Sequence, residues 1–130
     1  REFNITELTN AIAYGNAAKA FKIAYYFGES PKQYPLPKTL GFLFFFFWKL
    51  EQIHAYTLQS SRPSLQEAAS QAGLYYRTAT SYIAAAQRYP LRKTMRIISS
   101  LKECDMKSKS NSRGSATEGE LLIELLGKIF

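Results

Sequence analysis

The chain has 130 residues, of which 46% are apolar and 21% charged, with a formal net charge of +7. That length fits one compact domain with a real core, and the balance excludes a wholly disordered tail. The single cysteine, Cys104, excludes an internal disulfide scaffold and fits a reducing compartment, most simply the cytoplasm.

Helical spacing runs almost throughout. Ile5, Leu8, Ala11 and Ile12 mark a first short helix capped by Asn4 or Thr6. Gly15-Asn16 stops it, and Asn16 caps a second helix from Ala17 to Phe27, with Gly28 as its expected end. Pro31, Pro35 and Pro37 predict an extended loop leading into a long third helix from Pro37 to Leu58. Its longest apolar run, Leu40 to Trp48, is about half a membrane span, so no membrane crossing is expected. Arg62-Pro63 breaks the chain, and Ser64 with Glu67 forms a capping box for a short helix. Gly73 marks a tight turn before a helix from Tyr75 to Tyr89. Pro90 opens another helix, reaching Lys109. The Ser-, Lys- and Asn-rich stretch from Ser108 to Thr117 reads as a flexible loop. The last helix, Glu118 to Ile129, has an apolar arc wide enough to demand central packing. No run alternates with period two. The expected fold is all-α, one compact bundle of six to seven helices over residues 1–130.

The basic excess is uneven. Between Arg77 and Arg113 stand nine basic residues against Glu103 and Asp105 alone, which accounts for the entire +7. Such a segment suits a polyanion or an acidic partner, and a solvated helical face is the plain alternative. Chemistry finds little support. His54 is the only histidine, no phosphate-binding glycine motif appears, and Cys104 reads as a structural thiol. No catalytic residue, metal or cofactor is expected.

Two other features point outward. On the third helix Leu36, Leu40, Leu43, Phe47, Leu50 and His54 share a core arc, which Phe42, Phe46 and Ile53 widen on one side. Phe45 points away, with Trp48, Gly41, Lys49 and Gln52 beside it. That placement predicts a subunit interface unless another helix of the domain covers it. The stretch Leu65 to Tyr82 has helix-turn-helix character, with Ala69 and Gly73 at the crossing. Its second helix would offer Tyr75, Tyr76, Arg77, Thr78 and Ser81 to a groove of DNA. In the plain alternative a residue here packs into the turn instead, which helical spacing favours for Leu74 and allows for Tyr76.

The order of these pieces resembles the C-terminal domain of the delta subunit of bacterial DNA polymerase III, part of the sliding-clamp loader. The likeness rests on the opening ITELTNAIAYGNAAKAFKIAYYF and the proline-initiated Pro37-Lys38-Thr39-Leu40-Gly41-Phe42-Leu43. It rests also on SLQEAASQAG followed by Ala86-Gln87-Arg88-Tyr89, and on Glu103-Cys104-Asp105-Met106-Lys107-Ser108-Lys109 before a leucine-rich helix. Phe44, Phe45 and Trp48 depart from the family's small or polar residues, and the serine-rich loop is longer. The resemblance implies a non-catalytic collar domain that packs beside other clamp-loader subunits. Modules that touch the sliding clamp would lie upstream of Arg1. It also implies that Tyr75 lies near primer-template DNA, with Asp105, Lys107 and Lys109 in its charged motif. Arg77, near Tyr75 at a helix N-terminus, suits a phosphate contact there. A helix-turn-helix transcription regulator is the competing reading.

Overall fold

The computed structural model describes residues 2–130 and, of Ser112, the backbone only. Its described residues form seven α-helices and a 3₁₀ turn, without a strand. The fold is all-α.

Side-chain oxygens open most of these helices by accepting N–H groups that no helical carbonyl can reach. Asn4 Oδ1 accepts from Glu7 N–H at 2.9 Å to begin α1 (Ile5–Ala13). Asn16 Oδ1 accepts from Lys19 N–H at 3.1 Å to begin α2 (Ala17–Glu29). Between Ser30 and Tyr34 the chain turns instead of extending, because Ser30 O accepts from the N–H groups of both Gln33 and Tyr34. Pro31, with its fixed φ, suits the second position of that turn. Helix α3 (Leu36–Thr57) has no capping side chain of its own. The Leu36 N–H donates to Glu118 Oε1 at 2.9 Å, a carboxylate from the other end of the sequence.

The capping box of Ser64 and Glu67 opens α4 (Leu65–Gln71) as its spacing predicts. Next come α5 (Tyr76–Arg88), α6 (Leu91–Ser108) and a 3₁₀ turn at Asn111–Arg113. Within the loop Arg113 reaches both flanks, donating to Ala116 O at 2.7 Å and to Ser108 O at 3.3 Å. Thr117 and Glu120 make a second capping box at α7 (Glu118–Ile129).

The two boxes carry a pH signature. Hydrogen bonds from Ser64 and Thr117, backbone N–H foremost, hold the Glu67 and Glu120 carboxyls below the usual range. A folded pKa below the unfolded one stabilises above the ordinary carboxylate value of about 4.3, and that contribution fades as pH falls through the lowered value. Glutamine keeps the box acceptor without the charge. The gap in melting temperature between the parent and a Glu67→Gln, Glu120→Gln chain should therefore be widest near neutral pH and close under acid. A gap that stays constant down to about pH 2 would contradict this account.

Helix α3 is the hub, packing against α1, α4, α5, α6 and α7, while α7 lies against α2 and α6. Its arc of Leu36, Leu40, Leu43, Phe47 and Leu50 is buried as the periodicity predicts, with Phe46 and Ile53 beside it. His54 is half-buried, and its Nε2 lies 2.7 Å from Tyr89 O. That carbonyl, at the end of α5, also accepts from Thr94 Oγ1 at 3.0 Å. The Tyr89 hydroxyl donates in turn to Ile12 O at 3.3 Å, and burial pushes its pKa up to about 12. The lone histidine thus fastens a helix end.

One expected boundary moves. Gly28 does not end α2, which continues to Glu29. It lies where α2 crosses α7, and a Cβ placed on it would come within 2.9 Å of Gly119 Cα. Gly119 meets Gly28 Cα at the same distance. A glycine near a helix end reads as a stop when local backbone freedom is its only visible use. Here its missing side chain lets two backbones touch.

A candidate docking face of exposed aromatic rings

Three rings project from one side of α3. Phe42, Phe45 and Trp48 are 45%, 52% and 42% exposed, whereas their neighbours Phe46 and Phe47 are buried. Phe45 and Trp48 lean together with ring centres 6.0 Å apart. Phe45 and Trp48 each leave about half of their surface to solvent.

Lys49 plays a different part from the one its position suggests. Its ammonium lies 5.7 Å from the Phe45 ring centre and 5.3 Å from that of Trp48. It donates to Ala72 O at 2.8 Å and to Gln52 Oε1 at 3.2 Å. Ala72 is the C-cap of α4, so a cation meets the negative end of that helix. Lys49 is half-buried and acts as a strut between α3 and the turn after α4.

That turn contains Gly73 at φ +85°, which favours glycine, and Leu74, which is buried. Tyr75 is 58% exposed and occupies the N-cap of α5 without a side-chain capping bond. Tyr76 does not pack into the turn. It is 93% exposed at φ +57°, a left-handed conformation unfavourable for a side chain. Leu74 takes the inward position, so the ring of Tyr76 stays outside. Arg77 follows, also exposed.

A groove of about 410 Å³ runs between α1, α3 and α5, with Asn10, Phe42, Phe45, Arg77, Thr78 and Ser81 among its walls. Phe45 and Arg77, expected to serve separate purposes, therefore share one concavity. Phe42 is the residue that the sequence misplaces. Helical arithmetic sets it on the flank of the core, but α5 stops short of covering it. Its spacing of three from Phe45 is the signal that groups the two.

Asp105, Lys107 and Lys109 do not converge on one point. Asp105 Oδ2 pairs with Lys109 Nζ at 3.0 Å, and Lys107 Nζ reaches Glu124 on α7 at 3.4 Å. Both pairs are well exposed and contribute less than about 1 kcal/mol each. Asp105 lies near Gly41 and Phe44 in another cleft, between α3 and α6. The basic excess is likewise dispersed. Lys93 lies 5.1 Å from the Tyr89 ring centre and Lys102 lies 6.0 Å from that of Phe44, while Arg77 faces the groove.

Cys104 is half-buried, its thiol 3.9 Å from Leu121 O, and burial raises its pKa, the opposite of what an activated thiolate needs. Among the described residues no group of three or more His, Cys, Asp or Glu is placed to hold a metal ion. No helix of those residues is long and apolar enough to cross a membrane. Comparison with protein-family models, curated proteins and solved structures finds no match to this chain.

Proposed function

We propose that this chain is a non-catalytic assembly domain of a DNA polymerase III clamp loader, corresponding to the collar domain of the delta subunit. Its work would be to hold subunits together while the sliding clamp is loaded on primer-template DNA during replication. The observation that carries this reading is the exposed pair Phe45 and Trp48 on the helix that also forms the hub of the core. Water-exposed aromatic area of this kind is enriched where proteins dock. A ridge rooted in a fully packed helix presents its rings with little ordering cost on association.

In this reading Phe45 and Trp48 contact a sister subunit, with Lys49 holding the ridge against the turn that presents Tyr75. Tyr75 and Arg77 face DNA without reading its sequence. Contact with the sliding clamp belongs to other parts of the loader, and the setting is cytoplasmic.

The expected result is that the chain co-elutes with the other clamp-loader subunits in size exclusion. Elution alone at micromolar concentration would remove the proposal. The helix pair α4 and α5, joined by a turn with a left-handed Gly73, keeps a helix-turn-helix regulator as the second reading. A preference of about a thousandfold for one duplex sequence over bulk DNA would favour that regulator.

A further inference from the structure

We infer that the groove between α1, α3 and α5 holds a single-stranded nucleic acid, with a base stacked on Phe42 and the adjoining phosphate on Arg77. The inference rests on the reading above only in taking this face as turned toward DNA, and it adds a site on the groove itself. Three observations carry it. Phe42 is half exposed at the groove wall, and a flat ring there can stack on any unpaired base. Arg77 is the one charged side chain lining the groove among the described residues, so no carboxylate opposes a phosphate there. Polar side chains also line the groove. The hydroxyls of Thr9 and Ser81 are spent on carbonyls of their own helices, at 3.1 Å and 3.2 Å. The Asn10 amide and the Thr78 hydroxyl are left open to a ligand.

Charge and shape favour a single strand over a protein segment or a duplex. Of the basic segment only Arg77 lines the groove, but with no carboxylate beside it the lining is net positive and suits a phosphate. A duplex keeps its bases stacked inside, where Phe42 cannot reach them. Trp48 lies outside the groove lining and remains available to the sister subunit.

The test uses the 130-residue chain and a fluorescein-labelled oligothymidylate of about twelve nucleotides, read by anisotropy from about 50 to about 200 mM salt. The parent should bind, with affinity falling as salt rises. Phe42→Ala should weaken binding about tenfold at an unchanged salt slope, and Phe42→Leu, which keeps apolar bulk without the ring, should do nearly the same. Arg77→Ala should flatten the slope by about one. Unlabelled duplex and free thymidine monophosphate should compete poorly. No binding by the parent, or parent-like binding by both Phe42 variants, overturns the inference. If Tyr75→Ala weakens binding while Phe42→Ala does not, the strand crosses the turn but not the groove. Thymidine monophosphate competing as well as the oligonucleotide would mean a mononucleotide pocket instead of a strand site. Subunit co-elution is read separately. Loss of assembly in Phe42→Ala with oligonucleotide binding intact would assign the groove to a protein partner, whereas failed assembly of the parent would remove the collar reading and leave the groove measurement standing.

Discussion

A Phe45→Ser, Trp48→Gln chain is expected to unfold within about 1 kcal/mol of the parent while losing the proposed association with clamp-loader subunits. Both rings are about half exposed, so their removal leaves no sealed cavity. What they give the fold includes their mutual contact and the Lys49 ammonium near their faces, the latter worth about 0.5–1 kcal/mol at an exposed site. Leu43 stands on the same helix and is fully buried. Leu43→Ala should cost about 2–5 kcal/mol, from lost transfer energy and the cavity left behind. Urea unfolding and size exclusion on the same samples separate the two effects. A double variant as destabilised as Leu43→Ala would show that the rings serve the core and not a partner.

The second large effect is expected at the crossing of α2 and α7. Alanine is the better helix former by about 1 kcal/mol, so propensity alone says that Gly28→Ala or Gly119→Ala should stabilise. Packing says the reverse. At either position the new Cβ would lie 2.9 Å from a backbone carbon of the opposite helix, and backbone cannot rotate aside as a side-chain tip can. The helices must separate, and α7 carries Leu121, Leu122, Leu125, Leu126 and Ile129 into the core. Each substitution should cost about 1–3 kcal/mol, and valine more. Gly127 is the internal control, since it sits on the same helix with nothing within 4 Å of its Cβ position. Gly127→Ala should gain up to about 1 kcal/mol. Chemical denaturation of the three alanine variants decides the matter, and equal effects at Gly119 and Gly127 would refute the crossing argument.

What the sequence determined by itself lies within one turn of each residue. Asn4, Asn16 and Ser64 begin their helices because a short polar side chain reaches N–H groups three residues on. The threonine-to-glutamate spacing at Thr117 and Glu120 carries the same signal, and so it too was open to reading. Periodicity alone identified the buried arc of α3 and sent Phe45 and Trp48 outward, because the angle between residues on a helix is set by its own geometry. The tertiary structure decided everything that depends on which helices cross. Gly28 became a contact instead of a stop because Gly119 arrived opposite it. The first N–H of α3 found its acceptor on Glu118, and Lys49 found its own on Ala72. Phe42 met Arg77 across a groove because α1, α3 and α5 leave a gap there that no local spacing encodes. Hydrogen bonds and helix angles act over about four residues. The pairing of faces is settled by close packing among helices distant in sequence, where one missing Cβ or one bulky ring chooses the crossing.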